Sequence, residues 1–106
     1  PLRLMRRLQK LNLNDNQIRD LNHLAKLTKL EELHCNNNQV ANLDFVARMQ
    51  KLRVLNCNAN LIEDLSPLLD LPDLQRISIR GNPLNEQARE DARQLVGNGV
   101  QVVGRL

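Results

Sequence analysis

The stretch NLNDNQI (residues 12–18) places asparagine on alternate positions immediately before an apolar residue. The same arrangement returns as HCNNNQV (residues 34–40) and as NCNANLI (residues 56–62), each time 22 residues further along the chain. Asparagine is unfavourable in the interior of both helices and strands. Its recurrence in register with leucine therefore indicates a structural unit that is repeated along the chain.

A shift of 22 residues aligns successive units, which open at Leu8, Leu30, Leu52 and Leu74. Each complete unit reads LxxLxLxxNxI and continues with apolar residues spaced three apart. The apolar spacing thus changes from two to three within the unit, which predicts an extended segment followed by a helical one. One such unit cannot bury its apolar edge alone, whereas stacked copies bury a continuous core.

This pattern resembles the leucine-rich repeat family, in the 22-residue class of the phosphatase-1 regulatory subunit and the bacterial internalins. The resemblance covers residues 8–84 and implies an α/β solenoid. In such an arc, parallel strands form the concave face, and short helical segments, 3₁₀ or α, lie on the convex face. We expect a single domain over residues 1–106, with repeats at 8–29, 30–51, 52–73 and 74–84. Residues 1–7 match the tail of a preceding repeat, which leaves open whether the chain is a fragment of a longer one.

The repeat pattern ends after Leu84, and residues 85–106 are expected to form a C-terminal cap made of a helix and a strand. Asn85 is a favourable N-cap residue for a helix over about residues 86–96, whose apolar stripe includes Val96. Gly97 is predicted to stop this helix. The pair Asn98-Gly99 then predicts a turn into an extended segment at residues 100–103.

The ninth position of every unit is asparagine, whose side chain carries both a donor and an acceptor. At the turn after the strand, such a side chain can bond the backbone of its own turn and that of the next repeat. We therefore predict a structural ladder formed by Asn16, Asn38, Asn60 and Asn82. The thirteenth position precedes each helical segment, and its side chains are expected to stabilise the helix start. It is occupied by Asp20, Asn42, Asp64 and Glu86.

The third, fifth and seventh positions are expected on the concave surface, because side chains alternate along a strand. The scaffold is not expected to require asparagine at the seventh position, so its presence there has two open explanations. It is a copy carried along by repeat duplication, or it belongs to a hydrogen-bonding platform for a partner. In the second interpretation the binding residues are Lys10, Asn12, Asn14, Glu32, His34, Asn36, Asn58, Arg76 and Arg80.

The expected function is that of a protein-interaction module, which binds a protein or peptide partner through its concave face. The alternative is a recognition arm of a larger enzyme, such as a kinase, a Roc-type GTPase or a bacterial ubiquitin ligase. The chain itself is not expected to be an enzyme, because Ser78 lies two repeats from His34, at about 10 Å, which is too far for a catalytic hydrogen bond. A monomer is expected unless the open N-terminal end pairs.

Composition and charge argue against other classes of function. The net charge is only +3 and aromatic or glycine-rich platforms are missing, so no nucleic-acid partner is expected. No apolar run approaches the roughly 20 residues of a membrane span, so no membrane partner is expected either. Cys35 and Cys57 occupy adjacent inward positions, which favours buried thiols over a disulfide or a metal site. No cofactor is expected. Buried thiols favour a cytoplasmic location, with a delivered effector or an extracellular protein as the alternatives. Phe45 is expected at an outward or boundary position.

Of the repeated asparagines, Asn38 is expected to contribute far more stability than Asn36. In this interpretation only Asn38→Ala leaves buried backbone groups unpaired, at a cost of about 1–3 kcal/mol. Circular dichroism is the suitable measurement, because the chain has no Trp or Tyr. Equal losses of stability in the two variants would contradict the assigned register.

Overall fold

The computed structural model describes residues 7–104 of the chain, and within them the strands form one parallel sheet. The order of the strands in the sheet follows the order in the chain. The strands are β1 (Lys10–Asn12), β2 (Glu32–His34), β3 (Val54–Asn56), β4 (Arg76–Ser78) and β5 (Gln101–Val103). The expected tail of a preceding repeat falls, apart from Arg7, outside the described residues.

The register of the sheet follows the repeat alignment. Leu11 pairs with Leu33, Leu33 with Leu55, and Leu55 with Ile77, so each strand residue meets its counterpart from the next repeat. The side chains of Leu33, Leu55 and Ile77 are fully buried and stack across the sheet. A parallel sheet with short convex helices and a terminal helix and strand confirms the α/β solenoid that the repeat pattern predicts.

Short 3₁₀ helices return the chain between strands: η1 (Asn22–Lys26), η2 (Asp44–Arg48) and η3 (Ser66–Leu68). The side chain before each of them accepts a hydrogen bond from the N–H of the first helical residue. Oδ1 of Asp20, Asn42 and Asp64 lies 2.8, 2.7 and 2.9 Å from the backbone nitrogens of Asn22, Asp44 and Ser66. The expected stabilising bonds are therefore present, although a leucine separates each of these residues from its helix.

Phe45 lies inside the core, with only 3% of its surface exposed, so the expected outward or boundary position is wrong. Its counterpart in η1, His23, is exposed, and Pro67 in η3 is partly exposed. The helix η2 contacts both η1 and η3. An apolar ring on this middle helix can therefore be covered from both sides, whereas a polar histidine on η1 remains in solvent.

The C-terminal cap consists of α1 (Glu86–Gly97) and β5. Oδ1 of Asn85 accepts the N–H of Ala88 at 2.8 Å, which confirms Asn85 as the N-cap. The buried side chains of Ala88, Ala92 and Leu95 belong to the same core as the repeats. Val96, which was expected on the apolar stripe, is instead 50% exposed.

The predicted stop at Gly97 is wrong, because α1 includes this residue and ends with Asn98 as its C-cap. The residue that leaves the helix is Gly99, whose φ of 93° favours glycine. The N–H of Gly99 bonds the carbonyl of Val96 at 3.0 Å, and the N–H of Val100 bonds that of Leu95 at 2.9 Å. This pair of bonds is a Schellman motif, and it directs the chain into β5.

The eighth position of each unit adopts a left-handed backbone conformation that the sequence pattern did not predict. The φ values are 62°, 57°, 54° and 71° for Asp15, Asn37, Ala59 and Gly81. Asp, Asn and Gly tolerate this region, whereas alanine in it is strained by roughly 1–2 kcal/mol. Ala59 is therefore a point of backbone strain inside an otherwise regular turn.

We expect Ala59→Asn to raise the free energy of unfolding by about 1 kcal/mol, because asparagine relieves the left-handed strain. Asn37, at the eighth position of the preceding repeat, shows that an asparagine side chain fits in this turn, since its Nδ2 donates to Oδ1 of Asp15 at 2.7 Å. Thermal unfolding followed by circular dichroism measures the gain. The control is Ala47→Asn, an exposed position in η2 without positive φ. An equal gain in both variants would show that the strain at Ala59 is negligible.

Cys35 and Cys57 are both free and fully buried. Burial raises the pKa of the Cys35 thiol from its ordinary value of 9.0 to about 12. Burial, and then the nearby Cys35, raise the pKa of Cys57 as well. The Sγ of Cys57 lies 3.4 Å from the carbonyl of Ser78, to which its proton is donated. Both thiols are therefore held in the protonated form.

These raised pKa values predict a loss of stability at alkaline pH. The unfolded thiols ionise near pH 9.0, whereas the folded Cys35 keeps its proton up to about pH 12. The folded state then binds more protons than the unfolded state, so the free energy of unfolding falls as the pH rises through this interval. Denaturant unfolding at a series of pH values measures the slope. The variant Cys35→Ala/Cys57→Ala should be less stable at neutral pH but should show a shallower alkaline slope; an unchanged slope would contradict the assignment.

Candidate functional site

The concave face carries the polar side chains of the strands and of the turns that follow them. Pairing of the strands places Lys10 beside Glu32, and Arg76 lies two strands further on, beyond Val54. The next column contains Asn12, His34, Asn56 and Ser78. Leu11, Leu33, Leu55 and Ile77 lie between these columns and pack in or against the core, so the alternation of side chains is as expected.

The acidic side chains of this region are paired with basic ones. Nζ of Lys10 lies 3.1 Å from Oε2 of Glu32, and Nε of Arg53 lies 3.1 Å from Oε1 of Glu31. The hydrogen bond from Lys10 holds the pKa of Glu32 below its ordinary value. Among residues 7–104, the exposed Arg76 and Arg80 form no ion pair. The concave face is therefore nearly neutral on its first strands and positive towards β4.

His34 does not belong to a catalytic arrangement in the described residues. Its Nδ1 lies 2.7 Å from Nδ2 of Asn56, while Oδ1 of Asn56 is buried and without a partner. β3 separates His34 from Ser78. Ser78 is itself buried, and its hydroxyl donates to Oδ1 of Asn58 at 2.8 Å. The serine thus has a structural bond and no histidine base beside it.

The seventh-position asparagines connect successive repeats through their carbonyl oxygens. Oδ1 of Asn14 accepts the backbone N–H of Asn36 at 2.8 Å, and Oδ1 of Asn36 accepts that of Asn58 at 2.8 Å. Oδ1 of Asn58 accepts the N–H of Arg80, again at 2.8 Å. We call these three bonds the outer ladder. The scaffold therefore uses the side-chain oxygen at this position, so the expectation that the seventh position has no structural role is wrong.

The outer ladder fixes how its amides are oriented. Only the oxygen of a side-chain amide can accept a backbone N–H, so Nδ2 must point the other way. Within residues 7–104, no hydrogen-bond partner is found for Nδ2 of Asn14, Asn36 or Asn58. All three residues are partly exposed. The outer ladder therefore presents a row of unused amide donors, one from each of three successive repeats.

The ninth-position asparagines form a second series of bonds, which we call the inner ladder. Nδ2 of Asn38 donates to the carbonyls of Cys35 and Asn36 in its own turn, at 3.0 and 3.2 Å. It also donates to Leu13 at 2.9 Å, and its Oδ1 accepts the N–H of Ile18 at 3.1 Å. Asn60 and Asn82 repeat this arrangement. The bonds between repeats thus run to the preceding repeat, not to the next one as expected.

Asn16 differs from the other members of the inner ladder. It is exposed, and among the described residues its Nδ2 donates only within its own turn, to Leu13 at 2.8 Å and to Asn14 at 3.0 Å. Asn38 and Asn60 are buried, and Asn82 is partly buried. The asparagine side chain is therefore expected to stabilise the fold most where a preceding repeat covers it.

The structure places the expected contact residues on the strands and in the turns that follow them, and Arg80 continues the column of Asn14, Asn36 and Asn58. Arg80 follows β4 in the turn towards α1, and it also lines a pocket with Arg89 of that helix. Arg89 carried no signal in the repeat pattern, because it lies in the cap. Within residues 7–104, no group of three or more His, Cys, Asp or Glu side chains is placed to hold a metal ion. No helix in the same range is long and apolar enough to cross a membrane.

A family model of leucine-rich repeats, built on two copies, matches residues 6–48 and 50–90. The chain belongs to the leucine-rich repeat family. This confirms the resemblance drawn from the 22-residue pattern. Domains of this family generally mediate protein–protein interaction, and those similar to internalins are typically not enzymes. No curated protein sequence matches the chain.

Solved structures similar to the chain include bacterial leucine-rich repeat proteins. The internalin InlF of Listeria monocytogenes has a TM-score of 0.86 and 31% identity, over 93% of this chain and 28% of the internalin. The internalin InlC2 of the same species has a TM-score of 0.78 and 34% identity, over 93% of this chain and 42% of its own. A leucine-rich repeat protein of Leptospira interrogans has a TM-score of 0.82 and 26% identity, over 96% of this chain and 27% of its own. The chain thus spans less than half the length of each of these proteins.

The outer ladder changes the expected effect of removing Asn36. Asn36→Ala leaves the partly buried N–H of Asn58 without an acceptor, so we expect a loss of about 1–3 kcal/mol in the free energy of unfolding. This loss approaches that of Asn38→Ala instead of being negligible, so similar losses in the two variants do not contradict the register, which the strand pairing establishes. Denaturant unfolding followed by circular dichroism measures both. The matched control is Asn22→Ala, an exposed asparagine in η1; if Asn36→Ala loses no more than this control, the outer ladder does not stabilise the fold.

Proposed function

We propose that the chain binds a protein or peptide partner through the concave face of its sheet. The contact surface consists of Lys10, Asn12, Asn14, Glu32, His34, Asn36, Asn58, Arg76 and Arg80. The observation that supports this most strongly is the row of Nδ2 donors left unused by the outer ladder. A polar partner can satisfy these donors without any rearrangement of the turns, because the opposite side of each amide is already fixed.

The spacing of the donors suits a partner that carries several acceptors. Parallel strands lie about 4.8 Å apart, so the three donors extend about 10 Å, and the five strands of the sheet about 20 Å. A segment of extended backbone or a polar loop offers carbonyl oxygens over such a distance. The positive side chains of Arg76 and Arg80 at the β4 end favour a partner with acidic residues at the corresponding end.

The same face would serve as a recognition arm if the chain were part of a larger enzyme, but no observation within residues 7–104 favours that alternative.

We also propose that the chain acts as a monomer in the cytoplasm, without nucleic-acid or membrane partners. The support for the location is the pair of buried free thiols, which suits a reducing compartment.

Asn36→Asp combined with Asn58→Asp tests the donor row without breaking the outer ladder. A carboxylate retains the oxygen that accepts the backbone N–H but has no Nδ2 donor. We expect the melting temperature to stay near that of the wild type, while the proteins captured by the immobilised chain are lost. Quantitative mass spectrometry of the captured proteins provides the measurement.

The matched control is Asn22→Asp combined with Gln50→Glu, which adds the same charge at exposed positions in η1 and after η2. This control should capture the same proteins as the wild type. If the control loses capture and the concave variant retains it, the binding surface lies on the convex side and the proposal is wrong.

A further inference from the structure

A pocket of about 560 Å³ is formed by the turn after β4 and by α1. Its lining includes Arg80, Gly81 and Asn82 from the turn and Arg89 from the helix. Ile79 and Leu84 contribute apolar surface. The volume lies within the range of roughly 300–1,000 Å³ that is common for ligand sites. We call this cavity the Arg80–Arg89 pocket.

The two arginines of this pocket are not neutralised by the rest of the described chain. Within residues 7–104, ion pairs are formed by Arg53 with Glu31 and by Arg93 with Glu90, but not by Arg80 or Arg89. In that range the pocket lining contains no acidic side chain. Two arginines therefore line one cavity, and no carboxylate of the described residues is paired with either of them, which favours a bound anion.

The backbone that carries each arginine is held by hydrogen bonds. The N–H of Arg80 bonds Oδ1 of Asn58 at 2.8 Å, and its carbonyl accepts the N–H of Ala59 at 2.7 Å. The N–H of Arg89 bonds the carbonyl of Asn85, the N-cap of α1, at 3.2 Å. The backbone positions of both arginines are thus fixed, so binding an anion between them requires only the two side chains to become ordered.

We propose that the Arg80–Arg89 pocket binds the carboxylate of an Asp or Glu side chain of the protein partner. This inference rests on the proposed function and names the chemistry of one contact. Guanidinium groups bind carboxylates through paired hydrogen bonds. Ile79 and Leu84 offer apolar contact to the methylene groups of an acidic side chain. The N–H groups of the first turn of α1 are not part of the lining, so the pocket is not a phosphate site built on a helix end.

Titration of the ¹⁵N-labelled 106-residue chain with a blocked tetraglutamate peptide tests this directly by NMR. Gly104 also lines the pocket. The backbone amides of Gly81, Asn82 and Gly104 and the Nε–H groups of Arg80 and Arg89 should shift. A tetraglutamine peptide should leave the same resonances unmoved. The double variant Arg80→Gln/Arg89→Gln should weaken tetraglutamate binding by about tenfold or more, as expected for the loss of charge-assisted hydrogen bonds.

The control variant is Arg48→Gln/Arg93→Gln, which removes the same charge from η2 and from the exposed side of α1. It should keep tetraglutamate affinity within about twofold of the wild type, since distant surface charges contribute little. Unmoved pocket resonances, or an equal loss of affinity in both variants, would overturn the proposal. Inorganic phosphate is titrated separately. If it shifts the same resonances with a higher affinity than the peptide, the proposal is overturned.

The outcome for the pocket is separate from that for the concave face. If the Asn36→Asp/Asn58→Asp variant loses its partners while tetraglutamate fails to bind the pocket, the proposed function stands and the carboxylate site is wrong. If tetraglutamate binds through Arg80 and Arg89 but the Asp variant keeps its partners, the pocket stands and the donor row is not the contact surface.

Discussion

The whole array depends on the satisfaction of backbone groups in the turns between very short strands. Each strand of the repeats is three residues long, so most of each unit lies outside the regular ladder of the sheet. Buried N–H and C=O groups in those turns would each cost about 1–3 kcal/mol without a partner. Two columns of asparagine supply the partners, because an amide side chain offers a donor and an acceptor at once. Leucine fills the core, and the asparagines provide the hydrogen bonds that the backbone needs in the turns between strands.

The inner ladder bonds each repeat to the one before it, and the outer ladder bonds each repeat to the one after it. Asn38 in the inner ladder bonds the repeat before it, through Leu13 and Ile18. Asn36 in the outer ladder accepts the N–H of Asn58 in the repeat after it. A central repeat is therefore joined on both sides by side chains that lie two residues apart. The outer ladder uses only the acceptor of each amide, so the same residues stabilise the fold and leave donors for a partner.

The sequence predicted the elements that follow from periodicity and missed those that depend on the geometry of the turns. The core columns and the sheet register follow from the 22-residue shift alone. The role of Asn36 was missed because it lies beyond the end of β2, where alternation along a strand no longer determines what a side chain reaches. The left-handed conformation at the eighth position was not predicted because alanine, which is unfavourable in that conformation, occupies position 59. Asp15, Asn37 and Gly81 at the same position all tolerate it. The pocket at Arg89 combines a repeat and the cap, so no periodic pattern could indicate it.

The end of the outer ladder explains why a charged side chain stands at position 80. Asn14, Asn36 and Asn58 each provide an acceptor for the following repeat, and Arg80 receives the last of these bonds. After β4 the next element is α1, and the strand that pairs with β4 is β5. Within residues 7–104 the chain leaves this turn for α1 and not for another turn of the repeat type, so an amide at position 80 would continue no ladder among the described residues. An arginine can therefore replace the asparagine without loss of structure, and its backbone remains fixed by Asn58. The termination of the repeat thus frees one position of the concave column for a positive charge beside the C-terminal cap.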